Sequence, residues 1–362
     1  MKIGLTCFHA NIITMKKFIL SMFLVLIVKS IATGQNTDNE KLDWWGDVDG
    51  FINQQDKITL DLVEEAMSKY PPSLEEPLER RMAMLMLDGV LHEEQAAHRP
   101  AVQEFLKERI KLTVNELQEA NEKKGAMIWK LYNHGFIIRT ASVTFGFDLV
   151  RAHSSKAEGF AIADKLMLQI IDQCDALFIS HRHGDHGDMW VAQSFIDQNK
   201  PVVAPPEVWQ DRPIHKKITH LKREAHTLQV LKIQNGQQKL TVANYPGHQG
   251  SNIENNVPLV FTPEGMSFAQ TGDQSGPVTD WDWIDEVGDR NKVDVLFPNC
   301  WTPDIHRMIK GFQPQLVITG HENEMGHTID HRESNWLTYT RLKGTIVPSL
   351  LLTWGESYHY IP

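Results

Sequence analysis

The apolar positions of this chain follow three rhythms in succession. An apolar run at 18–28, interrupted only by Ser21, comes first. Apolar side chains then recur every three or four residues, as on one face of a helix. One segment carries Leu74, Leu78, Met82, Leu85 and Met86, and the next Val102, Phe105, Leu106, Ile110, Val114 and Leu117. Pro71-Pro72 and His98-Arg99-Pro100 punctuate these segments, and Gly125 supplies a stop after the charged stretch 101–124. From 127 onward the rhythm shortens to strand-like runs. Those at 127–132 and 136–141 pair around Asn133-His134-Gly135, and 143–150 follows as a third strand. A helix is predicted over 162–173, a buried strand over 176–179, a helix over 189–198 and a strand over 201–204. Further strands are expected from 240, at 257–261 and 266–269 as a hairpin, and at 293–297 and 315–319. A helix at 332–342 and a closing strand at 346–354 complete the set. Strands alternating with helices define a layered α/β domain.

The run at 18–28 is about as long as a signal-peptide core and short of the ~20 residues a membrane span needs. Lys16-Lys17 precedes it, and Ala32-Thr33-Gly34 places small residues before a cut at Gln35. The expected organisation is therefore a cleaved secretory signal over 1–34, a helical N-terminal extension over 35–125 and a catalytic domain over 126–362. Met15 makes the more typical start, which leaves 1–14 as an upstream mis-start. Such a chain is exported, periplasmic or secreted, with no stable membrane span after cleavage. No cysteine follows the apolar run to carry a lipid.

Charge narrows the partners. The formal net charge is −10, and residues 1–34 hold four lysines and no acid, so the remainder carries 32 basic against 46 acidic residues, or −14. A nucleic-acid groove needs a basic surface, so none is expected. Beyond Cys7, only Cys174 and Cys300 remain, too few for a disulfide framework, and both are expected to be buried thiols.

The chemistry concentrates where the 176–179 strand breaks: His181-Arg-His183-Gly-Asp185-His186-Gly-Asp188. His181 and His183 are two residues apart and can point to one side, while Asp185 and His186 face a neighbouring point. Gly184 and Gly187 allow the bends this crowding requires. Three histidines and an aspartate within six positions are a poor way to fill a core and a good way to hold a metal, since imidazole and carboxylate bind Zn²⁺ at about 2.0–2.2 Å.

His-x-His-x-Asp-His after a strand resembles the metallo-β-lactamase superfamily of hydrolases. The resemblance implies a four-layer αβ/βα sandwich of two mixed sheets with metals at one rim. It covers 126–362 and extends to three further strand ends. His248, in Pro246-Gly247-His248-Gln249-Gly250, matches the third ligand of a first metal with His181 and His183. Asp273, closing Thr271-Gly272-Asp273, matches the bridging carboxylate. His321, after the 315–319 strand, matches the last ligand of a second metal with Asp185 and His186. His327 and His331 compete with His321 for that place. The character is similar to the branch containing ascorbate-phosphate lactonases and phospholipid-cleaving phosphodiesterases.

By this resemblance the chain is a metal-dependent hydrolase in which a metal-bound hydroxide, generated at a zinc pair, attacks an ester, lactone or phosphodiester bond of a small-molecule substrate. Asp185 orients the nucleophile or takes its proton. Mn²⁺ or Fe²⁺ are the alternative metals. An iron-dependent dioxygenase or redox protein on the same scaffold, or a metal-stabilised binding protein, are the competing readings. Histidine rather than an acid at position 183 favours hydrolysis. Neither substrate nor oligomeric state is readable.

Overall fold

The computed structural model describes residues 46–362, so the signal segment expected at 1–34 lies outside the described residues. Residues 53–362 pack as one compact unit. Three helices come first: α1 (Val48–Lys69), α2 (Leu78–Leu91) and α3 (Pro100–Glu119). Next are β1 (Ala126–Lys130), β2 (Phe136–Arg139), β3 (Thr144–Phe147), α4 (Asp164–Gln173), β4 (Ala176–Phe178), α5 (Met189–Asp197) and β5 (Val202–Val203). A second run holds β6 (Leu228–Ile233), β7 (Gln238–Gln249), β8 (Ile253–Phe261) and β9 (Ser267–Gln270). After it come α6 (Trp281–Ile284), α7 (Val287–Arg290), β10 (Val295–Phe297), α8 (Ile305–Phe312) and β11 (Leu316–Ile318). The last elements are α9 (Asn335–Arg341), β12 (Ser349–Leu350) and β13 (Ser357–Tyr360).

Two mixed sheets result. The first is six-stranded, ordered β13-β1-β2-β3-β4-β5, and the second seven-stranded, ordered β12-β11-β10-β9-β8-β7-β6. β1, β2 and β3 form an antiparallel meander, and β4 and β5 join β3 in parallel. In the second sheet β6 to β9 are antiparallel and β9 to β12 parallel. Side chains alternate between faces along each strand. Ile128, Phe136, Ile138, Val295, Phe297, Leu316 and Ile318 therefore meet between the sheets. Trp129 and Ile137 turn outward against α1 to α5. Leu296 and Val317 turn outward against α6, α7 and α8. Helices, sheet, sheet, helices is the expected four-layer sandwich.

The helices before β1 share an apolar core with the outer face of the first sheet, through Leu60, Val63, Leu87, Leu91, Leu106 and Ile110. The apolar face read for α3 is the buried one, with Val102, Phe105, Leu106, Ile110, Val114 and Leu117 all enclosed. For α2 the reading took the wrong side. Leu78, Met82, Leu85 and Met86 face solvent, with Leu78 69% exposed. Arg80, Met84, Leu87, Asp88 and Leu91 face inward. Two charged residues sit on that inner face because each has a dedicated partner, which hydrophobic spacing alone cannot reveal. Arg80 meets the Glu356 carboxylate with two hydrogen bonds of 2.7 Å.

Two other expectations are corrected. Only Ser349–Leu350 is strand within 346–354, and Ile346 is 98% exposed. The strand that closes the first sheet is β13, paired to β1. β6 and α8 were not anticipated. β6 is an edge strand that buries Leu231 and Ile233 in the core between the sheets while Leu228 and Val230 point to solvent, so apolar residues fall on both its faces. Cys174 and Cys300 are free and buried, and burial pushes the Cys174 thiol up to about 12. Among the described residues no helix is long and apolar enough to cross a membrane.

Candidate metal centre

Strand ends build the site. β4 runs out through Ile179 and Ser180 into the 181–188 turn, β9 into Asp273, and β11 into His321. Gly272, between β9 and Asp273, has φ of +51°, and a Cβ there would stand 2.3 Å from Asn255 Oδ1 and 2.5 Å from Ser180 Cβ. Glycine is what lets the two strand ends approach. Gly320 plays the same part before His321, where a Cβ would stand 2.2 Å from the ring of the buried His134.

Three groups of ligand atoms converge among the described residues, each with all its members within 4.8 Å of one another, and two of them share Asp273. One of these two is Asp185, His186, Asp273 and His321, and the other is His181, His183 and Asp273; the third group is His134, Asp148 and His186. The two oxygens of Asp273 divide between the two groups that share it. Oδ2 lies 3.6 Å from His181 Nε2. Oδ1 lies 3.2 Å from His186 Nε2 and 3.5 Å from His321 Nε2. Asp185 Oδ2 closes the first group at 3.4 Å from His186 Nε2 and 3.3 Å from His321 Nε2.

His181 Nε2, His186 Nε2 and both ring nitrogens of His321 are buried without a hydrogen-bond partner. Buried polar atoms are rarely left so, and an unmade bond of this kind costs about 1–3 kcal/mol. Burial pushes His181 down to about 3, so it stands as a neutral imidazole. Burial also opposes charge on His186, but Asp273, Asp185 and Asp148 outweigh it and raise its pKa well above the usual value. His321 is raised for the same reason, chiefly by Asp273 against burial. Against burial, His186 and His321 hold the Asp273 carboxyl far below the ordinary range.

His248 stands apart. It leaves the end of β7 as expected, but it is in none of these groups among the described residues. Its Nδ1 is 3.1 Å from both oxygens of Asp280, and its backbone N–H donates to Gln274 Oε1 at 2.9 Å. The ring is thus anchored on its Nδ1 side, with Nε2 left over. His327 stacks obliquely near His321, ring centroids 5.3 Å apart, while its Nδ1 approaches the His331 carbonyl at 3.2 Å. His321 rather than His327 is therefore the member of the cluster, and His331 is a surface residue.

Residues beyond the motif fix the rings. Asp148 follows β3, is fully buried, and accepts from Ser180 N at 2.7 Å and Ser180 Oγ at 2.8 Å. His186 Nδ1 lies 2.9 Å from Asp148 Oδ2, which turns Nε2 towards Asp273. Asn133 Nδ2 donates to Asp185 Oδ2 at 3.1 Å, and Asn299 and Gln249 donate to Asp273. Sequence reading assigned no role to Asp148 or Asp280. An acidic residue closing the buried Phe145-Gly146-Phe147 strand was the available signal for Asp148. We expect Asp148→Asn to weaken metal affinity about 10–100-fold, the usual effect of removing a carboxylate that orients a ligating histidine. Equilibrium titration with a chelator as competitor measures it.

No family model matches the sequence, and no curated protein sequence matches it either. Similar solved structures include Igni18, a metallo hydrolase from Ignicoccus hospitalis, with TM-score 0.49, 15% identity, and 65% of this chain and 98% of that one covered. A possible metal-dependent hydrolase from Veillonella parvula gives TM-score 0.49 and 14% identity, covering 66% of this chain and all of its own. CmlA, a diiron β-hydroxylase from Streptomyces venezuelae, gives TM-score 0.47 and 14% identity over 66% of this chain and 54% of its own. Two mixed sheets lie between layers of helices with the ligand cluster at the strand ends, the arrangement that the His-x-His-x-Asp-His resemblance implies.

Proposed function

We propose that this chain is a metal-dependent hydrolase acting on an ester, lactone or phosphodiester bond of a small-molecule substrate. The observation that carries the reading is the set of unpartnered, buried imidazole nitrogens facing the two carboxylates of Asp185 and Asp273. A donor set of nitrogens and carboxylate oxygens fits Zn²⁺ and leaves Mn²⁺ or Fe²⁺ as alternatives. His181, His183 and Asp273 would hold one cation, and Asp185, His186, His321 and Asp273 the other, with His248 Nε2 in reserve for the first. When bound, such a pair lowers the pKa of water from 15.7 towards about 7 and polarises a carbonyl or phosphoryl oxygen.

The protein groups supply position and proton movement. Asp185 is held by Asn133 and belongs to the group with His186, Asp273 and His321, where it accepts a proton from the attacking water. That water oxygen bonds to the carbonyl carbon or phosphorus, the bond to the leaving oxygen breaks, and the leaving oxygen takes up the proton. Asp148 keeps His186 in the tautomer that offers Nε2, and Asp280 does the same for His248. Trp301, edge-on to His321 at 5.9 Å, and His327 stand beside the cluster for substrate to contact.

The test is metal quantification of protein purified without added metal, followed by a panel of esters, lactones, lactams and phosphodiesters. Two equivalents of zinc, with turnover lost on chelation and regained on zinc addition, is the expected result. Stoichiometric iron with oxygen uptake, or no bound metal, would contradict it.

A further inference from the structure

The turn that carries His321 is held in an improbable shape. His321 has φ of +77° and Asn323 of +54°, both in the left-handed region. Non-glycine residues persist there only when their surroundings over-determine them. Four ties do so. The His321 N–H donates to Asn133 O at 3.2 Å. Glu322 pairs with the buried Lys130 and accepts from Thr338 Oγ1 at 3.2 Å. Glu324 accepts from Tyr132 OH at 2.5 Å and Ser154 Oγ at 2.7 Å. Asn323 is held by Asp88.

Asp88 is the one of these anchors that comes from the helical region before β1. It lies on the inner face of α2, 5% exposed. Oδ1 accepts from Asn323 Nδ2 at 3.1 Å, from the Asn335 N–H at 2.9 Å and from Asn335 Nδ2 at 2.8 Å. Oδ2 accepts from the Trp336 N–H at 2.9 Å. All four partners are donors, and a carboxylate is the one side chain of this size that offers acceptors alone. Asn323 is two residues from His321, and Asn335 and Trp336 begin α9. Asp88 thus fastens the turn after β11 and the start of α9 to α2. A second clasp runs alongside, where Arg332 donates to the carbonyls of Leu91 and Glu93 with Nη1 and to that of His327 with Nη2.

We propose that the helical region is a working part of the metal centre. Asp88 is a positioning residue that locks the left-handed turn aiming His321 into the Asp185, His186 and Asp273 group. The link to metal rests on the function proposed above. The link to backbone geometry does not.

Two readouts separate these links. The first is amide hydrogen exchange of 321–326 in the metal-stripped full chain, comparing Asp88→Asn with Arg80→Met. Both variants break a buried tie of α2, but Arg80 bonds Glu356, Leu351 O and Tyr70 O, none of them in the turn. At temperatures well below unfolding of either variant, where local opening governs exchange, exchange in the turn should quicken at least about tenfold in Asp88→Asn and stay as in the parent in Arg80→Met. The second readout is zinc binding. Asp88→Asn should keep one equivalent and bind the other about 10–100-fold more weakly, whereas Arg80→Met should keep both. Equal exchange in the two variants, or unchanged binding of both equivalents in Asp88→Asn, would overturn the proposal. A parent protein that binds no zinc would instead overturn the hydrolase reading, and the exchange comparison would still decide the role of Asp88. Should Asp88→Asn fail to fold, Asn323→Ala removes the same tie from the other side and carries the same expectations.

Discussion

On the proposed function, Asp273→Ala is expected to lose both cations and, with them, hydrolysis by a factor of about a thousand or more. The expectation follows from how its two oxygens are shared. Oδ2 faces His181, and Oδ1 faces His186 and His321. Without Asp273 one group keeps only His181 and His183, and the other keeps Asp185, His186 and His321 with one carboxylate between two imidazoles. A catalytic metal stabilises charge in the transition state by several kcal/mol, and about 4 kcal/mol is a thousandfold in rate. Metal analysis after dialysis and steady-state rates on the best substrate check the claim. Two retained equivalents with undiminished turnover would contradict it. The same side chain carries hydrogen bonds from Asn299 and Gln249, so a modest loss of stability accompanies the loss of metal.

The second large effect concerns the fold. Arg80→Met should destabilise the protein by about 3–5 kcal/mol, the usual result of removing one partner of a buried ion pair. Arg80 and Glu356 are 276 positions apart, and their side chains are 1% and 3% exposed. Arg80 also donates to Leu351 O at 2.9 Å, while Glu356 accepts from the Thr353 N–H at 2.9 Å. Losing the guanidinium strands a buried carboxylate and a buried carbonyl together. The next cation, Arg109, stands 4.0 Å from Glu356 and softens the loss without replacing the fork. The double change Arg80→Met with Glu356→Leu should recover part of it, because no unpaired charge then remains. Urea unfolding measures both, and a loss under about 0.5 kcal/mol in the single variant would show that the pair contributes little.

These two sites divide what could be read from the sequence. The cluster was legible because its members are local or stand at strand ends. His181 to His186 lie in one turn, whereas Asp273 and His321, weak taken singly, were placed by the order of strand ends that the resemblance implies. The alternation of strands and helices pointed to a layered α/β domain, and the four-layer sandwich was implied by the resemblance. What escaped shares one physical cause, namely partners distant in sequence. Arg80 and Asp88 look like solvent-facing charges in a helix whose apolar spacing suggests the opposite face. Only Glu356 in one case, and Asn323 with the start of α9 in the other, turn them inward. His248 was legible as a strand-end histidine, but its carboxylate partner Asp280 was not, so the anchoring of its ring came only with the structure. Asp148 was placed on a strand without its bond to His186. The closing strand slipped because 346–354 is apolar yet only two of its residues pair.

The helical region gains a clearer standing from this. Its core is continuous with that of the first sheet, and its buried charges reach the segments that follow β11 and precede β13. Truncating it would therefore leave Glu356 without Arg80 and the His321 turn without Asp88.

The central claim is that one carboxylate, Asp273, serves two cation sites at once. Anomalous scattering from crystals of the zinc-loaded protein tests it most directly. The account expects two peaks about 3.5–4 Å apart, one beside each oxygen of Asp273, the first also touching His181 and His183 and the second Asp185, His186 and His321. A single peak away from Asp273, or none at full zinc loading, would contradict it.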